Sequence, residues 1–327
     1  MLFRDYRNYV HMPREIFLTK QNVTIGVLTV MYYEHLEFPT VSSSIDSSSR
    51  LNIKKMFSEN VERVTLASKY SSVKQLRAYD YLNYRSKNYI EKNISFSDTD
   101  EFGHVDTTGV ACRDNSSRKV IEKAISELIE KNELIFFWYL NTALPIKVDR
   151  LIVRYFIKKY GLESEEIYLF YTSNLSNWYT VISILFRNGK VIASGVCCNK
   201  YFFKSLEGAI SELKIIKNIN SYKNNKIFSN MDEFVYDFIK NYNSKGHYIK
   251  IKKRFYSDFG ISLPSEMTYL DICFLNNFYD GKVVTVNTDY FIKCLPKIEN
   301  LKISKKLKVV EYIDFEKLKS WLDCIIV

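Results

Sequence analysis

GVACRDNSSRKVIEKAISELIEK, residues 109–131, and GVCCNKYFFKSLEGAISELKIIK, residues 195–217, are the two stretches on which the reading of the fold turns. Each opens on a glycine and a short apolar run and crosses a polar loop. Each then enters a segment carrying Ala-Ile-Ser-Glu-Leu, at Ala124–Leu128 and Ala209–Leu213, with the register kept apart from one residue. A strand, a loop and a helix used twice is the pattern of a repeated supersecondary unit. The Ser-rich stretch 42–49, followed by a helix containing SENVER, reads as a more diverged third copy. Chance likeness of two amphipathic helices is the competing reading, because AISEL is an easy helical pentapeptide.

Outward from these stretches, three helices are predicted, at 52–67, 117–132 and 204–218. In the second, Val120, Ile121, Ala124, Ile125, Leu128 and Ile129 recur at helical spacing as one apolar stripe, and Asp114 to Ser117 supply N-caps. Strands are expected at 24–32, 151–156 and 167–172. A hairpin is expected from 180–187 and 190–196, joined by Asn188-Gly189, a pair that suits a type I′ turn. Further strands are expected at 282–287 and 307–313, and a last helix at 314–323. The alternation gives a mixed α/β architecture. With no Pro/Gly-rich linker, residues 42–300 read as a single domain, preceded by an N-terminal strand and extension (1–41) and followed by a C-terminal strand and helix (301–327).

Composition excludes more than it proposes. A chain with 22 Phe and 25 Tyr is not disordered. The net charge of +10 favours polyanions, but the basic residues are scattered. The densest run, KIKKR at 250–254, reads as an edge strand protected by lysine. The six cysteines (Cys112, Cys197, Cys198, Cys273, Cys294, Cys324) form no CxxC pair, which argues against structural zinc. The charged N-terminus MLFRDYRNYVHMPRE is no secretory signal, and no stretch is apolar enough to span a bilayer. A cytoplasmic protein with reduced thiols is expected.

For chemistry, the helices offer pairs of glutamates three apart, Glu59 with Glu62 and Glu127 with Glu130, and Glu212 on the third helix. Residues at i and i+3 share a helix face, so facing pairs would form an oxygen-rich pocket suited to Mg²⁺ and phosphates. Solvated helical glutamates, at the edge of the α-helical stripe or opposite it, are the other reading, and periodicity alone favours that one. No GxxxxGK, GxGxxG or GxSxG motif is present. His11, His35, His104 and His247 stand without a catalytic context.

The ordered set of motifs resembles the YcaO-domain family. SENVERVTLA (58–67) is similar to its first signature, Glu-x-x-Glu-Arg, through Glu59, Glu62 and Arg63. Residues 109–133 resemble the second through Asn115, Glu127 and Glu130, and Ala209-Ile210-Ser211-Glu212 resembles the third. The resemblance implies a YcaO-like single domain of repeated strand-loop-helix units. It also implies ATP bound with Mg²⁺ on helical glutamates and phosphorylation of a backbone amide oxygen. An amide carbonyl is a poor electrophile, and the phosphorylated oxygen becomes a leaving group. A neighbouring Cys, Ser or Thr, or sulfide, then attacks, giving azolines or thioamides in ribosomally made peptides such as bacteriocins.

On this resemblance Glu59, Glu62, Glu127 and Glu130 hold the metal, and Asn115, Lys131, Glu212 and Lys55 line the nucleotide. Its implied partners are a precursor peptide, an E1-like leader-binding protein and a flavin dehydrogenase, with no nucleic acid and no membrane span. Several positions depart from the pattern. Ser58 and Gly208 replace Arg, Lys119 replaces an acidic residue, Lys131 replaces Arg and loses bidentate phosphate recognition, and residues 321–327 lack a Pro-rich tail. A catalytically lapsed scaffold that binds peptide or partner is the alternative, and an unrelated basic nucleic-acid-binding protein is a third reading.

Overall fold

The computed structural model describes residues 10–12, 24–33, 36–46, 48–68, 75–80, 85–90, 109–114, 117–140, 143–174, 176–223, 232–242, 262–264, 268–269 and 281–286. In chain order the elements are β1 (Val10–Met12), β2 (Thr24–Tyr33), β3 (Leu36–Asp46), α1 (Ser49–Ser68), β4 (Gln75–Asp80), β5 (Arg85–Ile90) and β6 (Gly109–Asp114). Then follow α2 (Ser117–Leu140), β7 (Leu144–Ile146), α3 (Leu151–Lys159), β8 (Glu166–Thr172), β9 (Tyr179–Arg187) and β10 (Lys190–Asn199). The last are α4 (Phe202–Lys223), α5 (Asp232–Lys240), β11 (Ser262–Pro264), β12 (Thr268–Tyr269) and β13 (Gly281–Val286). This is the mixed α/β class that the alternation predicts. The strand expected at 307–313, the helix at 314–323 and the basic run at 250–254 lie outside the described residues.

The chain divides into two compact units, residues 1–131 with 259–308, and residues 132–258 with 309–327. In the first, three antiparallel sheets have the orders β1-β2-β3, β11-β4-β5 and β12-β13-β6. Helix α1 folds back along β3 and β2 and buries Met56 and Phe57. The apolar stripe of α2 is buried as its spacing requires: Val120, Ala124 and Leu128 are fully enclosed. The helix runs past residue 132 to Leu140, and its buried positions continue at spacings of three and four through Asn132, Glu133, Leu134 and Phe137.

The second unit is built on the antiparallel sheet β10-β9-β8-β7. The predicted turn is present: Asn188 and Gly189 both take positive φ, 54° and 73°, the left-handed backbone a two-residue type I′ hairpin needs. Strand β9 is buried from Thr180 through Phe186, so it is an interior strand without the alternation of a half-exposed one. Helix α4 packs along β10 and β9. Phe137, Phe170, Phe238 and Tyr242 form an aromatic cluster, with Phe170 and Tyr242 4.8 Å apart between ring centroids.

One expectation is corrected. Residues 151–156, LIVRYF, read as a strand on their β-branched and aromatic content, yet they form helix α3. Their buried positions, Val153, Phe156 and Ile157, fall at helical spacing, and that pattern decides against local propensity. The helix ends on Gly161 at φ +63°, where Leu162 N donates to Ile157 O at 3.0 Å, a six-to-one closure with Leu162 buried beneath it. Among the described residues no helix is long and apolar enough to cross a membrane.

Candidate functional site

One strand-to-helix turn occurs twice in the chain. At the end of β3, Asp46 Oδ1 accepts from Ser48 N at 3.1 Å, and at the end of β10, Asn199 Oδ1 accepts from Tyr201 N at 3.1 Å. An Asp or Asn that ties the backbone two residues on makes the chain leave the strand and start a helix. The first helical bonds also correspond: Asn52 N donates to Ser48 O at 2.9 Å and Ser205 N to Tyr201 O at 3.1 Å.

Deeper in each helix a glutamate reaches back to the strand. Glu59 Oε2 accepts from Ser43 N at 3.0 Å and Glu212 Oε2 from Val196 N at 2.7 Å, each across a separation of 16 residues. Positions 43, 46, 48, 52 and 59 thus answer one for one to 196, 199, 201, 205 and 212. Both are hairpin-then-helix units, β2-β3-α1 and β9-β10-α4. The third copy suspected at 42–49 is therefore a structural copy, and Glu59 and Glu212 are equivalent residues. The shared Ala-Ile-Ser-Glu-Leu pentapeptide sets Glu127 at the same place on α2.

Close approach of helix to strand makes these contacts. A Cβ on Gly195 would lie 2.3 Å from Ala209 O and 2.5 Å from Leu213 N, so only glycine lets the α4 backbone rest on β10. Ser183 Oγ sits 2.9 Å from the carbonyl oxygens of both Gly195 and Ala209. In the first unit Ser42 holds the place of Gly195, and it is fully buried. Gly208, which stands where the resemblance implies Arg, backs onto Cys197: a Cβ there would meet Sγ at 2.3 Å.

Glu127 pairs with Lys131 one turn along α2, at 3.1 Å, with side chains only 19% and 16% exposed. Lys131 therefore keeps a cation beside the acidic pair even though the bidentate fork of Arg is gone. Glu130 is half-buried on the same helix. Lys55 is on the surface, bonded to Asp46 Oδ2 at 2.7 Å and to Ile45 O at 3.4 Å, and so braces the β3–α1 turn. Glu62 lies on α1 with its side chain outside the described residues, as is the whole of Asn115. Among the described residues no group of three His, Cys, Asp or Glu is gathered as metal ligands would be.

A further acidic residue escaped sequence reasoning. Glu133 is fully buried, accepting from Thr172 Oγ1 at 2.6 Å and from Asn174 Nδ2 at 3.2 Å. With the helix expected to stop at 132, Glu133 fell just past its end. The continued apolar spacing through Leu134 and Phe137 was the signal that would have placed it in the core.

No family model matches the sequence, and no curated protein matches it. Solved structures do resemble it. YcaO from Methanopyrus kandleri, bound with AMPPCP and Mg²⁺, superposes with a TM-score of 0.60 at 11% identity, over 87% of this chain and 84% of that one. The E. coli microcin synthetase McbBCD complex with pro-MccB17 bound contains a chain that superposes with a TM-score of 0.60 at 13% identity, over 86% of this chain and 88% of that one. The same E. coli complex in a second structure gives a TM-score of 0.57 at 11% identity. The chain has a YcaO-like fold.

Proposed function

We propose that this chain is an ATP- and Mg²⁺-dependent enzyme that activates backbone amides of a ribosomally made precursor peptide. The observation that carries the reading is the strand-anchored glutamate found twice, Glu59 on Ser43 N and Glu212 on Val196 N, with Glu127 at the same point of the shared motif on α2. Carboxylates fixed by a backbone donor are held in one orientation, as ligands of a metal or a polar substrate must be. The donors are hard oxygens, the type Mg²⁺ prefers, and Mg²⁺ takes one or two carboxylates with phosphates and waters rather than an all-protein cage. The residues present therefore fit Mg²⁺ held with a triphosphate.

On this reading Glu59, Glu62, Glu127 and Glu130 are the set from which the one or two carboxylates for each Mg²⁺ come. Asn115, Lys131, Glu212 and Lys55 face the nucleotide. Bound MgATP supplies the phosphoryl group that turns the amide oxygen into a leaving group. The protein's own part is to hold the carboxylates and to offset charge with Lys131, which trades Glu127 for phosphate. The nucleotide in the M. kandleri structure supports ATP as co-substrate, and the peptide in the E. coli complex supports a precursor peptide and partner subunits. An E1-like leader-binding protein and a flavin dehydrogenase complete the proposed set.

Calorimetry with a non-hydrolysable MgATP analogue tests this. Wild type is expected to bind, and Glu59→Gln and Glu127→Gln are each expected to weaken binding by about tenfold or more, the loss of one charge-assisted contact. The urea midpoint of each variant checks that it is folded. No heat with wild type at millimolar nucleotide sinks the proposal and leaves the scaffold reading.

A further inference from the structure

The outer face of α3 has no part in the site above, and it is unusually apolar. Leu151 is 85% exposed, Tyr155 59%, Ile152 37% and the neighbouring Val148 36%. The helix buries Val153, Phe156 and Ile157 on its other side, so it has a full core face and a second apolar face left over. Contiguous exposed apolar surface of this kind marks interaction sites. Exposed Lys147, Arg150 and Arg154 stand around it, against one carboxylate, Asp149. Beside it opens a cleft of about 510 Å³, with Val148, Ile157 and Leu162 as apolar lining, Arg154 and Lys158 as cations, and Asp149, Glu163 and Glu165 as anions, the last paired with Arg187 and Lys217.

We infer that the α3 face and its cleft dock an acidic, apolar segment of a partner protein, with an apolar side chain seated in the cleft and carboxylates on Arg150 and Arg154. Charge complementarity selects the occupant, since the cations exceed the anions around the apolar face. A polypeptide fits better than an anionic bilayer, because Asp149 and Glu163 in the cleft would repel a uniformly negative surface but suit the mixed charges and backbone N–H groups of a chain. The surface is independent of the proposed nucleotide site, so either reading stands or falls alone.

The test uses the full chain and a labelled synthetic amphipathic peptide of Leu, Phe, Asp and Glu, followed by fluorescence anisotropy. An isomer with Lys for each acid is the control. The acidic peptide is expected to bind and the basic isomer not. Arg150→Glu with Arg154→Glu, and separately Leu151→Ser with Tyr155→Ser, are each expected to cost about tenfold or more in affinity. These are surface positions, and circular dichroism confirms the fold of each variant. Equal binding of both peptides, no binding of the acidic one, or variants that bind as wild type does would overturn the inference. So would wild type that sediments with phosphatidylglycerol-containing vesicles while ignoring the peptide, or self-association abolished by the same substitutions.

Discussion

The two hairpin-helix units, β2-β3-α1 and β9-β10-α4, share a hydrogen-bonded skeleton and differ in what hangs on it. Both have the Asx turn, the first helical bond and the glutamate on a strand N–H. In the first, Lys55 and Glu62 flank Glu59; in the second, the matching places are Gly208 and Ile215. The first also has Ser42 where the second needs Gly195. One copy thus has charged side chains at both places, and the other has a glycine and an apolar residue there. The shared backbone contacts are those that make the strand-to-helix turn, and the differences between the copies fall on the side chains around it.

The largest effect should come from the closest helix-strand contact. Gly195→Ala drives a Cβ to 2.3 Å from Ala209 O and 2.5 Å from Leu213 N, backbone atoms that cannot step aside without moving α4. A loss of about 3 kcal/mol is expected in urea unfolding, at the upper end of overpacking costs. Ser42→Gly in the other copy removes a side chain already accommodated, and about 1 kcal/mol or less is expected. Gly208→Ala should fall between them, because the obstacle is Cys197 Sγ, a side-chain atom that can rotate. If Gly195→Ala unfolds at the wild-type midpoint, the packing role of the second copy is wrong.

The glutamates separate structure from chemistry. Glu212→Ala takes the acceptor from Val196 N and should cost about 1–2 kcal/mol, the usual cost of leaving a partly buried donor unpaired. Glu59→Ala should cost a similar amount through Ser43 N. Only Glu59→Gln, which keeps an acceptor oxygen, should also weaken nucleotide binding by about tenfold; Glu212→Gln should change it less, because Ile215 and Gly208 flank it. Equal losses in both variants would erase the distinction between the copies.

Much of the skeleton was legible in the sequence, because it rests on local rules. The α2 stripe, the Asn188-Gly189 turn and the Gly-apolar-loop-helix pattern each declare themselves within a dozen residues. Helix α3 did not, because LIVRYF has strand propensity and helical burial, and the burial is decided by what it packs on. The buried Glu133 was hidden for the same reason: its partners Thr172 and Asn174 are 39 and 41 residues away. The equivalence of Glu59 and Glu212 needed coordinates too. SENVER (58–63) and SELKII (211–216) share little beyond Ser-Glu, and only the matching strand N–H bonds fix their register.

If the part of the second copy in binding is confined to Glu212, its other charges should act on stability and not on ligand. Glu165, with its side chain only 7% exposed, lies 2.8 Å from Arg187 at the end of β9 and 2.8 Å from Lys217 on α4. Burial alone would raise its carboxyl, but the bonds and charges of Lys217 and Arg187 outweigh that and hold it below the usual carboxylate range. A lowered folded value means stabilisation present above the unfolded carboxyl range and lost as pH falls through the folded one. Glu165→Gln should cost about 1–2 kcal/mol at neutral pH and flatten the acid limb of stability, with nucleotide affinity unchanged. A shift in affinity would show that more of the second copy than Glu212 takes part in binding.

The smallest effect lies at the outer end of the same unit. Burial, and then the Glu166 carboxylate to which its hydroxyl donates at 3.0 Å, push Tyr168 up to about 12. A phenol raised above its unfolded value of about 10 stabilises fully below that pH, and the contribution disappears as pH rises through the folded value. The loss therefore runs from about pH 10 to about pH 12. Tyr168→Phe should leave neutral-pH stability within about 0.5 kcal/mol, since the group is not deeply buried, while removing part of the alkaline loss. Titration of tyrosinate absorbance should show one late phenol missing in the variant. Tyr236 also donates to Glu166, at 3.1 Å, so α5 is tied to β8 through that carboxylate. If Tyr168→Phe leaves the alkaline limb unchanged, the tie runs through Tyr236 alone, and the second copy is braced from α5 rather than from its own sheet.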